Sequence, residues 1–214
     1  MRQAKVYAAV AAAIAVVIGV TSSTWADATP PAAGGVASAA GGRVTQPLRA
    51  EHRELLPHVE ALAFAADAVG TVPLADLSKQ VDESYKFLTT DLIPHAVAED
   101  EVLYAKVDSL IGSNGRTRAT DTMRRDHLEV GILTDELGRL RRQLHEGELC
   151  TACHKELRRV LYSLNAVVGL HFAKEEEVYL PLLDRELTAA EAQQMFKRMA
   201  VITQEERGTD AEQH

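Results

Sequence analysis

Two segments of the chain carry a histidine followed four residues later by a glutamate, an arrangement that can bind a metal ion. His95 precedes Glu99, and His171 precedes Glu175. Residues four apart on an α-helix lie one turn apart on the same face, so the imidazole and the carboxylate point the same way. One such pair is weak evidence, because a histidine on an apolar helix face is more often a hydrogen-bonded core residue than a ligand.

The flanking residues show that the two segments are copies of one pattern. The apolar positions that accompany the pairs are Tyr85, Leu88, Leu92 and Val102 in the first copy and Leu161, Leu164, Val168 and Val178 in the second. Their spacing of three and four residues is typical of the buried seam of a helical bundle. A further helical pattern precedes each copy and carries His52 or His127 on its apolar face. The chain therefore contains two similar helical hairpins.

All six polar residues occupy positions where a bundle core would place Leu or Val. Burying an unpaired carboxylate is costly, and no Lys or Arg lies on the seams at the level of Glu99 or Glu175. A cation would neutralise the carboxylates and use the imidazoles as donors. Mixed histidine and carboxylate ligation suits iron, manganese or zinc. The sequence thus predicts a metal centre made by His52, His95, Glu99, His127, His171 and Glu175.

The helices that must position these residues follow from apolar periodicity and from start and stop signals. They are predicted from about Pro47 to Gly70, Leu74 to Gly112, Thr117 to Gly147 and Thr151 to Leu187. Thr188 with Glu191 forms a capping box for a last helix that ends near Ile202. Short connections make sequential helices antiparallel neighbours. We therefore predict an all-α, up-down-up-down four-helix bundle with a short C-terminal fifth helix.

The first 46 residues carry no core pattern. Arg2 and Lys5 precede an apolar run at residues 6–20 and a small-residue stretch at 26–28, which is the order of a secretory signal peptide. The alternative is an uncleaved membrane anchor, although a bilayer span needs about 20 apolar residues. We predict a signal segment at 1–28, a flexible Ala/Gly/Pro linker at 29–46, the bundle at 47–187 and a C-terminal helix and tail at 188–214. The protein would then be exported, as a periplasmic, secreted or cell-surface protein, with a membrane contact only if the signal stays uncleaved.

Composition limits the other function classes. The chain has 214 residues and a formal net charge of −8, and its 23 basic residues form no stripe or block. Nucleic-acid binding needs clustered Lys and Arg, so no nucleic-acid partner is expected. The length suits one domain with a substantial core.

The residues of the predicted centre resemble those of the hemerythrin-like (HHE cation-binding) family over roughly residues 48–187. The matching stretches are Ala50-Glu-His-Arg-Glu-Leu-Leu56, His95-Ala-Val-Ala-Glu99, Arg125-Asp-His-Leu-Glu129 and His171-Phe-Ala-Lys-Glu-Glu-Glu-Val-Tyr-Leu-Pro181. The resemblance implies a non-haem di-iron centre. It assigns His52 and His95 to one iron, His127 and His171 to the other, and Glu99 and Glu175 as bridges.

The chain departs from the oxygen-carrying members of that family at two positions. Those proteins have a second histidine four residues after the third-helix histidine, where this chain has Gly131. They also tend to have an aspartate five residues after the fourth-helix histidine, whereas Glu175 here follows at four. The departures argue against reversible oxygen carriage and imply a more symmetric centre with an open coordination position. Gly131 either leaves room there for a small ligand or allows close helix packing.

Three further features complete the candidates. Cys150-Thr-Ala-Cys153-His154 is the attachment signature of c-type haem, and the alternative is a disulfide or two free thiols. His58 lies about 240° around its helix from His52 and should face elsewhere. Tyr104 and Tyr179 are expected as core aromatics, either of which could hydrogen-bond a metal ligand.

These features rank three functions. The first is an exported di-iron protein that binds dioxygen, nitric oxide or peroxide in storage, sensing or detoxification. The second is a di-iron oxidoreductase, a ferroxidase or a peroxide-decomposing enzyme. The third is electron transfer through a c-type haem. The sequence gives no protein partner.

Overall fold

The computed structural model describes residues 42–112, 117–147 and 150–211, in which the chain forms five long helices and no strand. Helix α1 is Gln46–Ala68, α2 covers residues 74–111, α3 is Asp121–His145, α4 covers residues 151–186 and α5 is Ala189–Ala211. The all-α prediction is confirmed. The predicted signal segment lies outside the described residues, so export stays a prediction. None of the described helices is long and apolar enough to cross a membrane.

Helices α2 and α4 contain π-helical turns. In α2 these turns are Leu88–Leu92 and Glu99–Leu103, and in α4 the turn is Glu175–Tyr179. A π-turn contains one residue more than an α-turn, so the apolar face beyond it shifts along the sequence. Val178, which the sequence places on the buried seam, is therefore 57% exposed, while Tyr179 and Leu180 are buried. The prediction for Val178 is wrong for this reason.

Glycine ends the first three helices, as predicted. Gly70, Gly112 and Gly147 have φ angles of 75°, 81° and 72°, a region that side chains with a Cβ rarely adopt. The predicted capping box is also present, because the backbone N–H of Thr188 donates to Glu191 at 2.9 Å. Helix α3 begins later than predicted.

The fifth helix is not short, which corrects the prediction. It continues beyond Ile202 to Ala211. Its far end is attached to α2, because Arg207 donates hydrogen bonds to the carbonyl oxygen of Thr90 at 3.0 Å and to Asp91 at 3.1 Å. The residues that α5 buries against the bundle are Ala192, Met195, Met199 and Ile202.

Contacts between opposite helix ends show that the first four helices run antiparallel. Arg158, near the start of α4, donates to the carbonyl oxygen of Val69, which follows α1, at 2.6 Å. Asp82, near the start of α2, pairs with Arg141 near the end of α3 at 2.5 Å. Helices α1 and α3 each pack against α2 and α4. This is the up-down-up-down bundle that the helix lengths and connections predict.

Two apolar clusters fill the bundle, and the predicted ligands lie between them. On α1, Leu48 belongs to one cluster and Leu55 to the other, with His52 between. On α3, Met123 and Val130 bracket His127 in the same way. The helices therefore bring the predicted ligands to one level of the bundle.

Candidate metal centre

Half of the centre forms around His52 and His95. The Nε2 atom of His95 lies 3.0 Å from Oε1 of Glu99. The Nε2 atom of His52 lies 3.3 Å from Oε2 of Glu175 and 3.8 Å from Oε1 of Glu99. The two rings thus approach the same carboxylate oxygen from different helices.

The other half forms around His127 and His171. The Nε2 atom of His127 lies 3.3 Å from Oε2 of Glu99 and 3.0 Å from Nε2 of His171. The Nε2 atom of His171 lies 3.7 Å from Oε2 of Glu99 and 3.7 Å from Oε2 of Glu175. Glu99 therefore presents one oxygen to each half, and all six predicted side chains meet.

The chemistry of these donors fits metal ions. Five of their buried atoms have no hydrogen-bond partner within the described chain: Nε2 of His52 and of His95, both oxygens of Glu99, and Oε2 of Glu175. A buried polar atom without a partner costs about 1–3 kcal/mol. Two groups of three could each hold an ion, and they are His52, His95 and Glu99, and Glu99, His127 and His171. A cation in each group would satisfy the unpaired atoms.

Each of the four rings has a carboxylate beside its other nitrogen. Within the first hairpin, Glu51 lies 3.0 Å from Nδ1 of His95. Within the second, Asp126 lies 3.2 Å from Nδ1 of His171. These carboxylates fix the orientation of the rings and leave Nε2 for the centre.

The remaining two outer carboxylates come from the opposite hairpin. Glu176 lies 2.9 Å from Nδ1 of His52, and Asp100 lies 3.0 Å from Nδ1 of His127. Sequence reasoning did not assign a role to these four acidic residues. A signal was present, since each stands next to a predicted ligand in both copies of the repeat.

When no metal is bound, the carboxylates and imidazoles set each other's charge. Burial alone would raise the pKa of Glu99, but the positive charge of His95 and hydrogen bonds from other rings hold it well below its usual range. Burial alone would lower the pKa of His52, but Glu175 and Glu99 raise it to about 9. Neighbouring carboxylates likewise outweigh burial and raise the pKa of His127 to about 9. A metal ion that binds here must displace protons.

The hydroxyl group of Tyr104 also faces the centre. It donates a hydrogen bond to Oε1 of Glu175 at 2.7 Å and lies 3.0 Å from Nε2 of His171. Burial and the nearby carboxylates raise the pKa of Tyr104, so the phenol keeps its proton. The equivalent position of α4 is Leu180, so this phenol breaks the predicted symmetry. Tyr179 instead donates to a backbone carbonyl outside the donor set.

Both ligand glutamates are the first residue of a π-helical turn. Glu99 begins the turn Glu99–Leu103, and Glu175 begins the turn Glu175–Tyr179. Such turns are often found at functional sites, because the widened turn re-aims the side chains around it. In α2 the turn brings Tyr104 to the buried face beside the donors.

A small apolar cavity borders the donors. Its volume is about 10 Å³, and its apolar lining consists of Leu92, Ala96, Val130, Val168 and Phe172. Gly131 lies next to this lining, and a Cβ atom built on it would meet no other atom within 4 Å. Close helix packing therefore does not explain Gly131, whereas space for a ligand side chain or small molecule remains compatible with it.

A larger cavity of about 370 Å³ lies where α5 covers the bundle. Glu51 and His95 line its inner side, and Phe196, Met199 and Arg207 line its outer side. Helix α5 thus stands between solvent and one ring of the centre.

The other candidates lie away from the centre. Cys150 and Cys153 form a disulfide at the start of α4, and the neighbouring His154 is half-buried. His58 is exposed and stacks on Phe87, as the sequence predicts.

Comparison with known families agrees with this site. The model of the Hemerythrin HHE cation binding domain matches residues 43–183, which is 141 of the 214 residues. The matched stretch contains all six donors and ends before α5. No curated protein and no solved structure matches the chain.

Proposed function

Because the chain belongs to the hemerythrin HHE cation-binding domain family, we propose that it is a non-haem iron protein whose centre holds two irons. The centre would take up a small ligand such as dioxygen, nitric oxide or peroxide. Iron supplies reversible redox chemistry and open coordination positions. The protein supplies the donors, their orientation and a water-poor surrounding.

The unpaired buried atoms carry this proposal. The donors assigned to one iron are His52, His95 and Glu99, and those assigned to the other are Glu99, His127 and His171, with Glu175 within reach of both halves. Nitrogen and carboxylate oxygen donors without sulfur suit iron. Each ring is held at Nδ1 by a carboxylate, as metal-binding histidines usually are.

Anaerobic titration of metal-depleted protein with Fe(II) tests the proposal. The wild type should bind two equivalents, one for each donor group. His95→Ala removes a donor of only one group and should leave a single tight site. His58→Ala is the matched control, because this exposed ring lies on α1 but faces away from the centre. Folded wild-type protein that binds no Fe(II) would contradict the proposal.

The cavity beside the donors supports a small ligand. At about 10 Å³ it is near the smallest space that holds one water molecule, and most of its lining is apolar. A diatomic molecule suits such a space better than a larger substrate. A stable optical change on exposure to dioxygen or nitric oxide, without continuing consumption, would support ligand binding. Val130→Phe fills the cavity and should weaken that change while Fe(II) content stays unchanged.

Tyr104 favours the second candidate function, a di-iron oxidoreductase acting on peroxide or Fe(II). Its protonated phenol lies within hydrogen-bond distance of Glu175 inside the centre, and reduction of oxygen or peroxide consumes protons. Steady-state peroxide or Fe(II) turnover in the wild type would show an enzyme. Tyr104→Phe should then slow turnover while leaving iron content unchanged, and Tyr179→Phe is the control.

The third candidate, electron transfer through a c-type haem, has less support. The thiols of Cys150 and Cys153 are joined to each other, whereas haem attachment would need both. A pyridine-haemochrome band in protein expressed with an export signal would restore this candidate. We expect no such band.

Export is proposed from the N-terminal sequence alone. The basic residues, apolar run and small residues at 2–28 are typical of a signal peptide. N-terminal sequencing of protein from the host's periplasm or medium should give a start near Ala28. Protein retained in the membrane with its first residues intact would favour an anchor.

A further inference from the structure

Two arginines occupy equivalent positions in the two hairpins, and the proposed function does not use them. Arg49 lies in the first turn of α1 and Arg124 in the first turn of α3. They are 75 residues apart, the interval that also separates His52 from His127. Arg49 is only 7% exposed. Burying a guanidinium group is costly unless carboxylates pair with it, so its partners are informative.

Arg49 connects the start of α1 to a ligand histidine. Its guanidinium forms an ion pair with Glu176, whose other oxygen lies 2.9 Å from Nδ1 of His52. It also pairs with Asp184 at 3.3 Å, and its Nε donates to Oγ1 of Thr45 at 3.1 Å. Arg49 thereby holds the carboxylate that orients His52.

Asp184 fixes the other end of this cluster. It accepts hydrogen bonds from the backbone N–H and from Oγ1 of Thr45, both at 2.9 Å. Thr45 is fully buried, so the packed chain begins within the segment that the sequence assigns to the linker. The beginning of α1, the end of α4 and the His52 ring are therefore tied together.

The second hairpin repeats the arrangement with equivalent residues. Arg124 donates to the carbonyl oxygen of Asp100 at 2.6 Å and to its carboxylate at 3.3 Å, and that carboxylate lies 3.0 Å from Nδ1 of His127. Asp108 lies 3.7 Å from Arg124 and accepts from the backbone N–H and Oγ1 of Thr120 at 3.1 and 2.8 Å. The same chain of contacts thus forms twice from different helices.

Holding the helix starts does not account for the arginines. Asp184 and Asp108 bond Thr45 and Thr120 directly, without help from a guanidinium. The arginines reach further, to the carboxylates that contact His52 and His127. A carboxylate that is itself held orients a ring more firmly than one free to rotate.

We propose that Arg49 and Arg124 are positioning residues of the metal centre, Arg49 for the His52 ring and Arg124 for the His127 ring, each acting through an outer carboxylate. This proposal rests on the proposed function, because it concerns the same centre. It adds that each arginine governs one half of that centre.

Titration with Co(II), used as a spectroscopic stand-in for Fe(II), tests the proposal. Arg49→Met keeps the aliphatic stem and removes the guanidinium, and it should weaken one of the two sites about 10-fold while leaving the other unchanged. Arg124→Met should weaken the opposite site, and the double variant both. Arg53→Met and Arg125→Met are matched controls, because these adjacent arginines are exposed. Both controls should bind like the wild type.

Proton NMR of the Co(II) protein separates positioning from general stability. The Nδ1–H proton of each bound histidine gives a paramagnetically shifted signal that exchanges with water. In Arg49→Met the signal of His52 alone should broaden through faster exchange, and in Arg124→Met that of His127. Arg49→Lys keeps a charge beside Glu176, should give intermediate affinity and serves if the Met variant does not fold.

Several results would overturn the proposal. Arginine variants with wild-type affinity at both sites would do so. Equal weakening of both sites by either single variant, together with a lower melting temperature, would show a merely structural role. Wild-type protein that binds no Co(II) or Fe(II) would remove the proposed function itself and this inference with it.

Discussion

Glu99 is the residue on which the two halves of the centre depend. Its two oxygens approach rings from three different helices, and it belongs to both groups that could hold an ion. No described cation other than these imidazoles is paired with it. Loss of this single carboxylate therefore removes a donor from each half at once.

We predict that Glu99→Gln lowers the affinity for both metals, because a neutral amide is a poorer ligand than a carboxylate. Metal content after dialysis should fall to below one equivalent. Glu101→Gln, at an exposed position two residues away, should keep wild-type content. A Glu99→Gln protein that retains two equivalents would show that Glu99 is not the shared ligand.

The raised pKa values of His52 and His127 predict how the stability of metal-depleted protein depends on pH. Both rise from an ordinary 6.5 to about 9 on folding. The stabilisation from their ion pairs is fully present below pH 6.5 and is lost as pH rises through about 9. The melting temperature, followed by circular dichroism with a chelator present, should fall over this interval. His52→Gln should make the fall smaller, and a melting temperature that rises with pH would contradict the assignment.

The six donors could be predicted from the sequence because each breaks an apolar seam at a position repeated in both hairpins. The residues around them could not. Glu176 reaches His52, and Asp100 reaches His127, across helix interfaces whose rotation depends on packing. Periodicity gives the face of a residue, but it does not give the partner on the neighbouring helix.

At the scale of elements, the π-helical turns explain where the sequence pattern fails. Regular spacing after Glu175 predicts a buried Val178, whereas the turn Glu175–Tyr179 exposes it and buries Tyr179. A π-turn depends on a local change in backbone hydrogen bonding that apolar spacing does not encode. Helix number, order and most boundaries were predictable, because caps and glycine stops mark them.

The two glycines of α3 provide a matched pair of tests. A Cβ atom at Gly131 would meet no atom within 4 Å, so Gly131→Ala should raise the free energy of unfolding by about 1 kcal/mol through helix propensity. A Cβ atom at Gly138 would lie 2.9 Å from a ring carbon of Tyr85, so Gly138→Ala should lower it by about 1 kcal/mol or more. Urea unfolding measures both. Equal effects would mean that the Tyr85 ring moves aside freely.

The whole molecule consists of the family domain and one added helix. The family match ends at residue 183, and α5 begins at Ala189. Helix α5 covers the cavity that leads to Glu51 and His95, and its Arg207 is bound to α2. The added helix therefore controls how directly solvent reaches one side of the centre.

We predict that chain termination after Leu187 leaves a helical protein but speeds the removal of iron by a chelator. The apolar cluster between the first halves of α2 and α4 contains no residue of α5, so the bundle should still fold. The apparent rate of iron loss, followed by absorbance, should rise several-fold. Arg207→Ala should give a smaller increase in the same direction. Unchanged rates in both would show that entry and exit use another side.

The crossing of outer carboxylates between hairpins has one more consequence. Glu176 of the second hairpin orients His52 of the first, and Asp100 of the first orients His127 of the second. One hairpin alone thus owns half of the donors and none of the carboxylates that its first histidine needs. Two copies of one hairpin, facing each other across a dyad, would contain the full set. The chain is in effect a covalently linked dimer, and a peptide of residues 117–187 should pair with itself when metal is added.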